Sequence, residues 1–219
     1  MIELELNGST YNLPTSFSEV NIETYSKIVS IDSTIEGVER YVKVISILTG
    51  IEEEIVKTIK LEHMNLIQNN IQFMFKNDNI EIVDRFEIDG VKYGFNYELG
   101  KITFGEFIDL DDFSRPEEIN KNMDILLAIL YRPIKEINKD DYEILEYDDE
   151  TVRERADIFK TKLTMDKALG GLVFFSLLNA TTILNTPDYS SKKLMMEMRE
   201  LMNLTKAQQT EMKRMNLDG

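Results

Sequence analysis

Side chains able to do chemistry are few in this chain, and they are scattered. His63 is the one histidine, set in the run LEHMNLI, and there is no cysteine. A single imidazole cannot build a multi-histidine metal site. Without thiols, a nucleophile–base pair reduces to a serine with this one imidazole, and no Gly-x-Ser-x-Gly surrounds any serine. A surface or packing role is expected for His63. The densest carboxylate group is Glu106, Asp109, Asp111 and Asp112. Glu106 and Asp109, three apart on a helix, have the oxygen chemistry for Mg²⁺ or Ca²⁺. Their spacing matches no calcium loop, however, and Glu106 already has a helix-capping task, so no metal is expected. Arg132 and the pair Arg153 and Arg155 carry the planar forks that grip phosphates. Glu136, Asp140 and Glu146 stand nearby in sequence, which predicts internal ion pairing instead. Gly170-Gly171 lies inside an apolar run with no Gly-Lys-Ser/Thr after it, so it predicts close helix packing and no phosphate loop. No catalytic residue and no cofactor site emerges, and the chain is not expected to be an enzyme.

Charge says more about partners than about chemistry. The 219 residues carry a formal net charge of −15. That argues against a nucleic-acid backbone as partner, which needs clustered Lys and Arg to displace counterions. Between Asp140 and Asp157 nine carboxylates face only Arg153 and Arg155. Asp140, Asp141, Glu146, Asp148, Asp149 and Glu150 form the candidate acidic contact strip within it. The opposite sign collects at the end: from Ser190 to Leu217 six basic residues face three acids, a local charge of +3. The absence of cysteine fits a reducing compartment. Met1 leads directly into IELEL, so no signal peptide is expected, and the longest apolar stretch, Ala168 to Leu178, is too short to span a bilayer.

The elements that position these residues follow a pattern that occurs twice, 82 positions apart. Residues 4–28, LELNGSTYNLPTSFSEVNIETYSKI, align without a gap on residues 86–110, FEIDGVKYGFNYELGKITFGEFIDL. Leu4 and Leu6 fall on Phe86 and Ile88, and Asn7-Gly8 on Asp89-Gly90. Val20-Asn21-Ile22 falls on Ile102-Thr103-Phe104. The alternation of IELEL and the Asn-Gly and Asp-Gly pairs predict two hairpins. Asn21 is placed to cap a helix bearing Ile22, Tyr25, Ile28 and Val29 on one face. A second helix from about Glu36 carries Val38, Tyr41, Val42, Ile45 and Leu48 and ends on Gly50. Helical stretches near Glu52 to Thr58 and Leu61 to Phe75 follow, and then a polar linker from Lys76. In the second half, Thr103 with Glu106 and Ser114 with Glu117 both spell capping boxes, and a helix through Met123 to Leu130 runs to Arg132-Pro133. YEILEY alternates like a strand, Asp148 and Asp149 are placed to cap a helix to Lys162, and Thr164 to cap an apolar helix through Leu184. A weaker match returns at an offset of 102, with Leu61 on Leu163.

After Thr186-Pro187-Asp188 the chain reads as one long amphipathic helix that holds six of the eleven methionines. Methionine adapts to irregular surfaces and is over-used at interfaces. Leu194, Met195, Met198, Leu201, Met202, Met212 and Met215 are the candidate partner interface, whether the stripe docks on its own chain or on a neighbour.

The words ITFGEFIDLDDF, LLAILYRPI, YEILEYDDETVRERADIF and LGGLVFFSLL, spread over roughly residues 100–185, resemble the base-plate or tail-assembly proteins of tailed bacteriophages, with GEFIDL and ILYRPI the most specific. The resemblance implies a non-enzymatic structural or assembly role in a tail, base plate or neck ring, with other virion proteins or copies of itself as partners, in the virion and in the host bacterial cytoplasm during assembly. The basic, Met-rich end has no counterpart in that resemblance. The alternative is an acidic cytoplasmic adaptor, or a DNA-mimicking inhibitor, that presents the 140–157 strip to a basic protein. The fold expected is α+β and mostly helical. A hairpin-plus-helices module would cover 1–76 and a similar one 77–186, with an acidic insertion near 133–152. A helical arm would cover 187–219.

Overall fold

The alternation of IELEL produces strand β1 (Ile2–Leu6), which pairs antiparallel with β2 (Ser9–Leu13) in a two-stranded sheet. The computed structural model describes residues 1–180 apart from residue 7, 76–79, 99–100, 116–117 and 139–140. The expected linker at Lys76, Glu117 of the second capping box, Asp140 of the acidic strip and the whole 187–219 arm therefore lie wholly or mainly outside the described residues. So does the expected end of the apolar helix at Leu184.

Helix α1 (Ile22–Val29) starts at Asn21, whose Oδ1 accepts from the Thr24 N–H at 2.9 Å. Helix α2 (Gly37–Thr49) ends on Gly50, whose left-handed φ of 74° closes the last turn as a side-chain-bearing residue could not do without strain. Val42, Ile45 and Leu48 of α2 are buried, whereas Val38 is exposed and stands outside the apolar face expected of it. Short α3 (Glu53–Val56) and α4 (Leu61–Asn70) follow, the latter running into a 3₁₀ turn at Ile71–Phe75.

The second hairpin joins β3 (Arg85–Ile88) to β4 (Val91–Phe95) through Asp89 and Gly90, both at positive φ, as a tight primed turn requires. Helix α5 (Phe104–Phe113) and helix α6 (Met123–Leu130) come next. The sequence predicts a helix starting at the Ser114 box, but Ser114 is the C-terminal cap of α5, its Oγ donating to the Asp111 carbonyl at 3.0 Å. The next helix starts only at Met123.

Past Leu130 the chain turns at once into β5 (Tyr131–Asn138), which pairs with β4 and with β6 (Asp141–Ile144) to give a four-stranded antiparallel sheet ordered β3-β4-β5-β6. Pro133 thus sits in an inner strand opposite Tyr93, but its backbone faces the β6 side, so its missing N–H takes no bond from the pairing with β4. Its carbonyl still accepts from the Leu145 N–H at 2.9 Å. Helix α7 (Asp149–Lys162) and helix α8 (Met165–Ala180) complete the described chain.

Tyr131, Phe95, Phe159 and Phe174 are among the largest fully buried side chains, and they interlock at ring separations of about 5 Å: Phe95 meets Tyr131 at 5.0 Å and Phe174 at 5.2 Å, and Tyr93 meets Phe159 at 4.9 Å. Offset and edge-on contacts of this kind add to the burial of large apolar rings. Helix α7 packs on both α6 and α1, and α8 packs on α6 and on the 3₁₀ turn at Phe17–Glu19. The elements of the first half are therefore covered by elements of the second. The Ile22 N–H donates to the Leu163 carbonyl at 3.2 Å and the Met165 N–H to the Val20 carbonyl at 2.8 Å, which makes an antiparallel bridge between Asn21 and Thr164.

Candidate interaction surfaces

Of the residues able to do chemistry, Glu106, Arg132 and Arg155 lie inside the protein, while His63, Asp111, Asp112 and Arg153 are exposed. Glu106 on α5 and Arg132 on β5 are both buried, with the Arg132 Nη1 3.6 Å from the Glu106 Oε2. Thr103 Oγ1 accepts from the Glu106 N–H at 3.1 Å, so half of the expected capping box forms. The reciprocal half does not: the Glu106 carboxylate turns inward to Arg132 and accepts from Asn96 Nδ2 at 3.3 Å. Burial raises the Glu106 pKa more than the Arg132 charge and the Asn96 hydrogen bond lower it, and burial likewise lowers the Arg132 pKa. Each partner is shifted toward its neutral form, so desolvation exceeds their mutual attraction. Arg132 Nε is buried with no hydrogen-bond partner among the described residues.

Burial lowers the Arg155 pKa, the Arg132 charge adds to that lowering, and Arg155 Nε donates to the Ala128 carbonyl at 2.8 Å. Of the three arginines for which the acidic surroundings predict ion pairing, only Arg132 meets a carboxylate; Arg155 is buried on a backbone carbonyl, and Arg153 is exposed. The carboxylate that meets Arg132 is nevertheless Glu106 and not one of the neighbours in sequence. Asp109 accepts from the Tyr147 hydroxyl, while Asp111 and Asp112 are exposed, so the four carboxylates do not converge. Among the described residues no group of three His, Asp or Glu side chains is arranged to hold a metal ion. His63 is exposed beside Glu62. Gly170 and Gly171 are sites of close packing, Gly170 against the Glu81–Ile82 backbone and Gly171 against Leu127 and Tyr131.

The acidic strip is on the surface. Asp141, Glu146, Asp148, Asp149 and Glu150 are all exposed. Three of them also shape α7: Asp148 is its N-cap and accepts from the Glu150 N–H at 3.2 Å, and Asp149 and Glu150 sit in the first turn, where the helix dipole favours negative charge. Asp148→Ala is expected to cost about 1 kcal/mol and Asp148→Asn only a few tenths, since Asn caps as well as Asp. Urea unfolding of the two variants checks this, and equal losses would deny Asp148 its capping role. The candidate interface from Leu194 to Met215 lies outside the described residues.

One apolar surface has no signal in the sequence. Phe104 at the start of α5 is 77% exposed, and Ile108 one turn later is exposed too. Phe104 stacks on Phe107 of its own helix, with ring centroids 6.4 Å apart. No cue to this stands in the sequence, because the same position in the first half, Ile22, has the apolar character of a core residue. Leu61, the first residue of α4, is likewise 77% exposed.

These helices and antiparallel sheets define an α+β protein. No protein-family model, curated protein or solved structure matches the chain. Among the described residues no helix is long and apolar enough to cross a membrane.

Proposed function

We propose that the protein is a non-enzymatic structural or assembly protein of a tailed-bacteriophage virion, in the tail, base plate or neck ring, working through contacts with other virion proteins and with copies of itself. The reading rests on the sequence resemblance, and the Glu106–Arg132 pair bears on it only by joining the words that carry that resemblance. The two words on which the phage resemblance rests most, GEFIDL and ILYRPI, supply one partner each, so the residues that carry the resemblance are joined in a single buried contact 26 positions apart. In this reading the chain is two hairpin-plus-helices modules of common descent, and the Leu194 to Met215 stripe of the sequence engages a neighbour. The correspondence of β1, β2 and α1 with β3, β4 and α5 near an offset of 82 supports the duplication.

The solution mass of the full chain, alone and with other virion proteins, is expected to show a defined oligomer or complex that weakens when residues 190–219 are deleted. A chain that stays single in both settings, with no change in association on deletion, overturns the proposal. The exposed strip of carboxylates favours the acidic adaptor as a second reading. Its mark would be a basic partner lost with added salt and with the pair Asp148→Asn and Asp149→Asn.

A further inference from the structure

The first half of the chain shows how the start of its own α1 is covered. Ile22 is 1% exposed beneath the α7–α8 turn, which lies across it through the Leu163 carbonyl and the Met165 N–H, and Asn21 Nδ2 donates to the Thr161 carbonyl at 3.0 Å. In the second half, 82 positions on, Ile102, Thr103 and Phe104 occupy the places of Val20, Asn21 and Ile22. Thr103 caps α5 as Asn21 caps α1. Here the described residues supply no such cover: Phe104 and Ile108 are exposed, and no described backbone group bonds the Phe104 N–H or the Ile102 carbonyl.

The covering element also has a counterpart. Helix α4 begins at Leu61 as α8 begins at Met165, and the carbonyls of Lys60 and Thr164 each accept from the third and fourth residues onward, His63 and Met64 in one case, Lys167 and Ala168 in the other. The helix starts thus coincide at an offset of 104, where the residue types match at 102. Met165 is fully buried, and Leu61 stands open to solvent. Each half therefore leaves exposed the surface whose counterpart in the other half is used within the chain.

We propose that these two open surfaces meet between copies. The α3–α4 turn of one chain seats Leu61 on Phe104 and Ile108 of the next, repeating between chains the contact that the α7–α8 turn makes on α1 within each. The patches differ, so the contact is heterologous and propagates head to tail, closing into a ring or continuing as a stack according to its rotation. This inference rests on the reading of the protein as one that assembles with copies of itself, and it names the surfaces that do so.

The test uses the full chain and the variants Phe104→Glu and Leu61→Glu, whose altered side chains are exposed and leave the core intact. Light scattering is expected to show the wild-type mass rising above one chain with concentration and each variant alone remaining single. An equimolar mixture of the two variants is expected to form a species of two chains and nothing larger, because one intact Leu61 surface meets one intact Phe104 surface. The inference is overturned if the wild type stays single, if either variant alone assembles like the wild type, or if the mixture stays single. It is also overturned if the Phe104 amide of the dilute wild type is protected from hydrogen exchange and loses that protection in a chain ending at Thr186, since residues 187–219 would then be the occupant. Variants that assemble like the wild type, with association still dependent on residues 190–219, overturn this interface and leave the assembly reading standing.

Discussion

Arg132→Met is expected to cost the fold about 3–5 kcal/mol at neutral pH, because it strands Glu106 as a buried carboxylate with no cation beside it. The pair itself is poorly matched. Its charges are 3.6 Å apart, one guanidinium nitrogen has no partner among the described residues, and burial shifts both groups toward their neutral forms. Removing the charge from both partners should therefore undo most of the loss. In the double variant Glu106→Gln with Arg132→Met, the new side-chain amide oxygen at position 106 can still accept from Asn96, and stability is expected to return to within about 1 kcal/mol of wild type or to exceed it.

The pH dependence follows from the same imbalance. A carboxyl whose folded pKa is raised binds its proton more readily in the folded chain than in the unfolded one. Its contribution is fully present below the unfolded pKa and is lost as pH rises through the folded value. Without Arg132 the folded pKa rises further, so the difference between Arg132→Met and wild type should shrink on acidification. Urea unfolding of the three proteins at neutral and mildly acid pH measures this. A single variant within about 1 kcal/mol of wild type at neutral pH would mean that Glu106 is hydrated or protonated there and that the pair does not constrain the fold.

The second large effect is expected at Gly170. In an exposed helix Gly→Ala gains about 1 kcal/mol, so a substitution in α8 has a favourable term to overcome. A Cβ on residue 170 would lie 2.7 Å from the Ile82 Cα and closer still to the Glu81 carbonyl, and both are backbone atoms that cannot swing aside. Gly170→Ala is expected to destabilise by about 3 kcal/mol, at the upper end of the usual cost of overpacking. Its neighbour is the control. A Cβ on residue 171 meets only side-chain atoms, the nearest being Leu127 Cδ2 and Tyr131 Cε2, each at 3.1 Å, and these can yield by tenths of an ångström. Gly171→Ala is expected to be close to neutral, and melting curves of the two variants separate backbone contact from general crowding. Equal and small effects would mean that the 81–82 segment does not hold α8.

Local signals in the sequence predicted local structure well. IELEL, Asp89-Gly90, Asn21, Thr103, Gly50 and Asp148 each mark a strand, turn or cap where one stands, because each acts on backbone groups within a few residues. Sequence and structure part where the deciding partner is distant. Glu106 reads as the second half of a capping box, yet a cation 26 positions on competes for its carboxylate and wins. Arg132-Pro133 reads as a helix stop, and the strand that starts there is hidden because proline argues against an inner strand until β4 and β6 supply neighbours on both sides. Val38 and Phe104 show that apolar character does not ensure burial, since which face is covered depends on what packs over it.

The bridge between Asn21 and Thr164 also sets an order of events during synthesis. Helix α1 emerges from the ribosome early, but the carbonyl that receives its first amide belongs to Leu163, 163 − 22 = 141 residues later. At about 5–20 residues per second, Ile22 waits roughly 7–28 s for its cover. During that interval the nascent chain presents at Ile22 an apolar helix start of the kind that the finished protein retains at Phe104. On the proposal that the α3–α4 turn docks between copies, the Leu61 turn of a neighbouring chain would compete at that exposed start with the chain's own α7–α8 turn until residues 163–165 are made.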